Sequence, residues 1–414
     1  MEKSPRGKGN RYMMDDFQQQ IVIVEVPINS EVLRWARERA GLSIDQLTKN
    51  FVDTSRIRSW ENSTSLPTLA QAETLATKLR IPLPILLLDQ PPKIPLPIPD
   101  LRTLDSLSPG NPTPEFVDTV NDAVVRQSWY REYVLTESAR PLAFVGQFNP
   151  TDNVSTVARS IRTVLQLDER LRLQCRTWQD FLSKFVQRAD SAGIIVMRNS
   201  VFRHDNTRRL LVDEFRGFAI SDAYAPLVFV NSRDAKAAQI FTLAHELAHI
   251  WLGATGISNP DPRKRRADFN AVLERTCNEI AAEVLVPQDS FLRLWSVDKT
   301  TDANVKQVAA HYRVSSMVAL RRANDLGKIN AEEFKRKIAA EYARFRAMEK
   351  EEQEKKEEER SGNFWNLFAM RNGQRFTDAV ANAARREAIP FIYASHLLGV
   401  KASTLENYIK RFQV

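Results

Sequence analysis

Apolar residues recur at helical spacing in four short segments near the start of the chain. "SEVLRWARERA" carries them on one face and stops before Gly41. "SIDQLTKN" begins on a Ser N-cap, "DTSRIRSWEN" begins on an Asp N-cap, and "TLAQAETLATKLR" is a fourth amphipathic stretch. Residues 26–90 thus read as a helical unit, behind a tail over 1–25 that is polar except for the apolar run "IVIVEVP". Residues 91–135 read as a Pro-rich linker, "PPKIPLPIPDLRTLDSLSPGNP", followed by a helix. Residues 136–330 are mixed. "VSTVARSIRTVLQL" and "TWQDFLSKFVQRADSAG" predict helices, whereas "IIVMRNSVF", "FRGFAISD" and "APLVFVNS" predict strands, rich in Val, Ile and Phe and bounded by turn residues. Residues 331–361 read as a charged helical spacer ending in "EKEEQEKKEEER", and 362–414 as a helical C-terminal unit. The fold class is α+β, mostly helical. Two further stretches, "VKQVAAHYRVSSMVALRRANDLG" and "YASHLLGVKASTLENYIKRF", also read as helix, turn, helix, a periodicity that a helical hairpin packed on a core produces equally well.

Composition narrows the setting. With 43% hydrophobic and 27% charged residues over 414 positions, the chain is globular and long enough for two to four domains. Its 13 Gly are not clustered, which argues against flexible Gly-rich linkers. The net charge of +8 and a pI near 9.4 permit nucleic-acid contact without requiring it, because the excess is spread along the chain. Two Cys about a hundred positions apart, Cys175 and Cys277, build neither a disulfide framework nor a CxxC zinc site, so a reducing, cytoplasmic location is expected. The first 20 residues lack the apolar core of a signal peptide, and no apolar run reaches the length of a membrane span.

The chemistry concentrates in "FTLAHELAHIWLG", residues 241–253. Residues 234–252 predict a helix with Asp234 as N-cap and Gly253 as stop. Positions i and i+4 stack on one helix face, so His245 and His249 can aim their rings at one ion. That geometry suits Zn2+, which takes imidazole ligands at about 2.0–2.1 Å. Glu246 stands one step round, beside the ion, where a carboxylate can accept a proton from water and return it to a leaving amine. This is the H-E-x-x-H arrangement. A helix with one His in a polar network and one in the core would carry the same letters. The apolar flanks, Phe241, Leu243, Ile250 and Trp251, argue otherwise, because a buried Glu without a partner is costly.

A catalytic zinc usually has three protein ligands. "DFNAVLERTCNEIAAEVLVP", residues 268–287, offers Glu274, Glu279 and Glu283 on one helix. Asn278, Ala281, Ala282 and Leu285 share the face of Glu274, and the small alanines allow close approach to the H-E-x-x-H helix. Glu279 is about 140° away and Glu283 is opposite. Glu274 is therefore the expected third ligand, and Asn278 is placed to hydrogen-bond a ligating His. Cys277 is also near that face, as a thiolate ligand or as a small buried hydrophobe.

Two resemblances follow from these residues. The unit at 26–90 resembles the XRE/Cro-like helix-turn-helix family through Leu33, Ala36, Arg37, "SIDQL", Val52, Ile57, Trp60–Glu61 and Pro67. Phe51 departs from it, since a small residue is common before the second helix of that motif. The resemblance implies DNA contacts from Gln46, Thr54, Ser55, Arg56 and Arg58; a protein–protein module is the other reading of the same helices. The run "RGFAIS…PLVFVNS…IFTLAHELAHIWLG…ERTCNEIAAEVLVP" resembles the ImmA/IrrE family of zinc metallopeptidases, closely over about 195–290 and loosely over 140–330. Cys277 is a minor departure, where that family commonly has Ala.

The second resemblance implies a zincin-like fold with a small sheet, zinc held by His245, His249 and Glu274, and Glu246 as general base. It also implies a substrate or partner that is itself a helix-turn-helix repressor or antitoxin, in a stress-response, mobile-element or phage-defence setting. "PLVFVNS" is the expected edge strand for an extended substrate, and Tyr224, His204 and His311 are the candidates for stabilising an oxyanion. Arg263, Lys264, Arg265 and Arg266 would attract an acidic partner or simply form a solvated loop. Three readings remain open: a zinc endopeptidase that cuts a regulator, a DNA-binding regulator whose zinc domain acts by binding, and a toxin–antitoxin component. A homodimer is compatible with all three.

Overall fold

The protein is described from a computed structural model, over residues 24–93, 95–100, 112–258, 269–356 and 364–412. It divides into two units, Met1–Lys93 and Ile94–Val414.

The first unit is built from α1 (Ser30–Arg39), α2 (Ile44–Thr48), α3 (Thr54–Glu61) and α4 (Leu69–Leu79), closed by a 3-10 turn at Leu83–Leu87. Side chains cap most of these short helices, satisfying the amides that a helix N-terminus leaves open. Asn29 caps α1, and capping boxes Ser43–Gln46 and Thr68–Gln71 open α2 and α4. Asp53 precedes α3 without a side-chain cap bond. Leu33, Ala36, Leu47, Ile57, Trp60 and Leu75 form the core. Glu61 is drawn into that core by a two-pronged ion pair with Arg37, at 2.6 and 3.2 Å. Phe51 packs against Trp60, with ring centroids 6.1 Å apart.

In the second unit, α5 (Pro114–Thr136), α6 (Val154–Val164), α7 (Glu169–Leu173) and α8 (Trp178–Ser191) precede a small mixed sheet. Its strands are β1 (Ile195–Asn199), β2 (Gly217–Ile220), β3 (Leu227–Asn231) and β4 (Gly256–Ser258). The spatial order is β1-β3-β2-β4, with β1 parallel to β3 and the other pairs antiparallel. Between β3 and β4 runs α9 (Lys236–Trp251), and α10 (Phe269–Leu285) follows β4. Then come α11 (Gln288–Leu294), α12 (Thr301–Tyr312), α13 (Ser316–Asp325) and α14 (Ala331–Lys356). The chain ends in α15 (Phe364–Asn372), α16 (Gln374–Arg385), α17 (Phe391–Leu398) and α18 (Ala402–Phe412).

Strand alternation splits the core between the two faces of the sheet. Val196, Ala219, Val228 and Val230 face the layer holding α6, α8, α9 and α10. Ile195, Met197, Phe218, Leu227 and Phe229 face a layer built from α5 and the C-terminal helices α15–α18. The segments 113–135 and 364–412, distant in sequence, thus cover one face of the sheet together. Gly373 marks the contact: at φ +80° it lies so close that a Cβ would meet Ile195 Cγ2 at 3.1 Å and the Val196 carbonyl oxygen at 3.2 Å.

The strand expected at the edge is not there. β3 lies inside the sheet, bonded to β1 on one side and β2 on the other. Both of its faces are buried, which is why its sequence is a continuous apolar run. The strand beyond β2 is the three-residue β4, and its outer side already receives chain: the Ile257 N–H donates to the Pro99 carbonyl at 2.9 Å.

Candidate metal centre

Helix α9 is buried all round, with Leu243, Ala244, Leu247, Ala248 and Ile250 fully covered, so it forms the central rod of its layer. It starts one residue later than the sequence suggested, with Ala235 in place of Asp234 at the N-cap. Asp234 instead binds the Ala235 amide and pairs with Arg216 at 2.9 Å. At the other end, Gly253 takes the left-handed conformation at φ +69°, and the Gly146 and Phe148 amides donate to the last carbonyls, those of Ile250 and Trp251.

This rod carries His245, Glu246 and His249, none of which has any exposure. Helix α10 packs along it through Ala281 and Leu285, both fully buried, and presents Glu274. The Nε2 atoms of His245 and His249 face each other at 3.1 Å. Glu274 closes the triangle, with Oε2 3.3 Å from His245 Nε2 and Oε1 3.0 Å from His249 Nε2. Among the described residues, these three side chains form the group able to hold a metal ion. His245 Nδ1 lies 3.1 Å from Asn278 Oδ1, so Nδ1 carries the proton and donates, which turns the Nε2 lone pair toward the cluster.

The donor set fits a cation. Two imidazole nitrogens pointed at each other across 3.1 Å repel as lone pairs, and a carboxylate beside them adds negative charge to a buried place. Ligand atoms of a four-coordinate zinc stand on the order of 3.3 Å apart, close to the spacings found here. Burial alone would raise the Glu274 carboxyl, but positive charge on the His245 and His249 rings outweighs it and holds it at about 2, and a bound cation would supply that charge in their place. Burial pushes the Cys277 thiol up, and it lies against His249 as a neutral, fully buried group. Glu283, on the other side of α10, is paired with Arg322.

Glu246 is supported from the sheet by a feature that the motif search did not reveal. Gly217 of β2 lies so close that a Cβ there would be 2.7 Å from Thr242 Cγ2 and 2.8 Å from Glu246 Oε1. The available signal was a glycine inside the expected strand "FRGFAISD", which marks close approach.

The other candidates fall elsewhere. His204 binds the Leu398 carbonyl and stacks on Phe368, His311 pairs with Glu169 at 3.5 Å, and Tyr224 lies under the Arg131 guanidinium. Arg263, Lys264, Arg265 and Arg266 lie outside the described residues. In the first unit, Ser55, Arg56 and Arg58 are exposed on α3. Gln46 is exposed on α2 but accepts from the Ser43 amide, and the half-buried Thr54 hydroxyl donates to Asp45 at 3.4 Å.

A buried His-His-Glu cluster, with a carboxylate beside the first His and a small mixed sheet behind it, defines a metallopeptidase-like centre. Residues 189–324 match the family model of the peptidase M78 class, the IrrE N-terminal-like domain. That match runs from the last turn of α8 to α13, takes in the whole cluster, and supports a peptidase of the ImmA/IrrE type. No curated protein matches the chain. Among the described residues, no helix is long and apolar enough to cross a membrane.

Proposed function

We propose that the chain is a zinc-dependent endopeptidase that cuts a specific regulatory protein, a helix-turn-helix repressor or antitoxin. The observation that carries this reading is the convergence within 4.8 Å of Glu274, from α10, with His245 and His249 of α9, the helix that also holds Glu246. A structural zinc site needs no base and usually closes its shell with four protein ligands, whereas this cluster offers three and a base.

His245, His249 and Glu274 would hold the ion, and zinc bound there would supply Lewis acidity to the scissile carbonyl and to water. Glu246, fully buried and backed by Gly217, accepts the proton of the attacking water and passes it to the departing amine nitrogen. Asn278 fixes the tautomer and tilt of His245. Glu274 keeps 13% of its side chain exposed, which makes its side of the cluster the approach for a substrate.

The first unit supports a link to gene control. Its α2 and α3 follow the helix-turn-helix pattern, and the exposed Ser55, Arg56 and Arg58 suit contacts to DNA. Cys175 and Cys277 are both buried free thiols, in keeping with a reducing cytoplasm.

The test compares new protein N-termini in cells expressing the chain with those expressing Glu246→Gln, after both proteins are shown to bind zinc equally. A discrete cut made only by the unchanged chain identifies enzyme and substrate together. Equal zinc binding with no Glu246-dependent cut, under DNA damage or phage challenge as well, overturns the peptidase reading.

A further inference from the structure

Two segments beyond the first unit share the helix, turn, helix pattern, and the structure separates them. In α12–α13 the turn holds Arg313 in the left-handed region, and its guanidinium Nε donates to the Cys175 carbonyl at 3.1 Å. No residue from 311 to 324 is exposed, and Arg322 is buried against the Val286 carbonyl. Its second helix therefore has no exposed face to offer, and, Asp325 at its end aside, the exposed positions of the pair, Asp302, Ala303, Lys306 and Ala310, lie on α12.

The segment α16–α18 is different. Helix α17 ends at Gly399, left-handed at φ +67° and ψ +32°, and a three-residue turn, 399–401, leads into α18. The three helices pack on one another, with Ala394, Leu398, Leu405 and Tyr408 buried. The turn is fixed to the body of its unit: His204 Nε2 bonds the Leu398 carbonyl at 3.1 Å, and Gly399 leaves only room for Arg203 beside it. Opposite its buried stripe, α18 shows solvent a face of Ser403, Asn407, Lys410 and Arg411, bordered by Glu406, and Lys401 is exposed in the turn before it.

We propose that α16–α18 form a second nucleic-acid reader, with α18 lying in the major groove of double-stranded DNA. The occupant follows from charge. Exposed cations between 385 and 411 are Arg385, Arg386, Lys401, Lys410 and Arg411, against the exposed acids Glu387 and Glu406. Two of these cations are held in surface pairs, Lys410 with Glu406 and Arg386 with Glu137. Such pairs are weak and exchange readily for phosphate. Ser403, in the first turn of an 11-residue helix, meets phosphate together with the free amides there. Asn407, one turn further, has the two-pronged amide that reads adenine, and Lys410 reaches guanine or phosphate. This site is independent of the metal centre.

The experiment uses the full chain carrying Arg56→Ala and Arg58→Ala, so that α3 does not dominate, and a pool of random-sequence duplexes. Binding is followed by fluorescence anisotropy from about 50 to about 200 mM salt. This parent should bind. Adding Lys401→Ala, Lys410→Ala and Arg411→Ala should weaken binding at least about tenfold and make the salt slope shallower by about two to three. Asn407→Ala should leave the slope and alter the sequences enriched from the pool, and it serves alone if the triple variant shifts the thermal transition. A parent that binds no duplex at the lower salt, or α18 variants that change neither slope nor selection, overturns the proposal. Exposed Phe391, Ile392 and Tyr393 open α17. Loss of self-association or of a protein complex on Ile392→Asp, with no duplex binding, would make this a protein interface and equally sink the DNA assignment.

Discussion

Gly217 and Glu246 meet across the strand–helix interface, where the missing side chain of the glycine leaves the space that the carboxylate fills. A Cβ at position 217 would be 2.8 Å from Glu246 Oε1 and 2.9 Å from the Phe229 carbonyl oxygen. None of these distances is tolerated, nor the 2.7 Å to Thr242 Cγ2: the Glu246 and Thr242 side chains yield most readily, and the carbonyl contact adds a small local shift of β2. Gly217→Ala should therefore move the base and leave His245, His249 and Glu274 in place. Misplacing a reacting group by about 1 Å costs about a hundredfold in rate. The expected result is a cleavage rate reduced to that extent, with one zinc still bound per chain by elemental analysis. A Gly217→Ala protein that cleaves at the normal rate would show that the carboxylate has slack there.

Asn278 holds His245 from behind, and losing it frees the ring to turn and to move its proton. Removing such a partner typically weakens metal binding about 10- to 100-fold. Asn278→Ala should do so in competition with a chromogenic zinc chelator, and Glu274→Gln, which removes a ligand charge, should weaken binding further. Unchanged affinity in Asn278→Ala would mean that the 3.1 Å contact does not tune the site.

The centre was readable because its parts lie in short continuous stretches. His245, Glu246 and His249 sit within two turns of one helix, and periodicity alone put Glu274 and Asn278 on the face of α10 that turns to them. What escaped was set by distant partners. The place of β3 inside the sheet depends on β1 and β2, although its apolar run on both faces was a clue. β4 is only three residues long, too short for any alternation to show. The covering of the second sheet face by α5 and α15–α18 rests on contacts such as Arg126 to Asn372, 246 positions apart, which local pattern does not encode. The difference between α12–α13 and α17–α18 is likewise one of burial, since both carry the same periodicity.

Glu283 anchors the far side of α10. It pairs with Arg322, its backbone carbonyl accepts from Arg162 at 2.7 Å, and its side chain is 6% exposed. Truncation would leave the Arg322 charge buried beside the Val286 carbonyl with its paired carboxylate gone and only the more distant charges of Asp325 and Glu279 acting on it. Breaking a buried pair in this way costs about 3–5 kcal/mol. Glu283→Ala should lower the denaturant midpoint of the unit that contains the metal centre by a corresponding amount, whether or not zinc is present. A change of less than about 1 kcal/mol, the scale of a surface pair, would show that solvent reaches Arg322.

His204 makes the stability of the same unit depend on acid. Burial lowers its pKa to about 4 from the ordinary 6.5; the Arg371, Arg126 and Arg203 charges push the same way, and only the Leu398 carbonyl opposes them. The folded ring therefore stays neutral between pH 6.5 and 4, while the ring of an unfolded chain takes up a proton over that range. Stability rises with pH wherever the unfolded state binds more protons, so the contribution of His204 is complete above 6.5 and is lost as pH falls toward 4. His204→Gln keeps an N–H for the Leu398 carbonyl and cannot titrate. Its thermal midpoint should fall less steeply than that of the unchanged chain between pH 6.5 and 4, and the two curves should run parallel above pH 7. Parallel curves across the whole range would mean that the ring protonates in the folded protein without penalty.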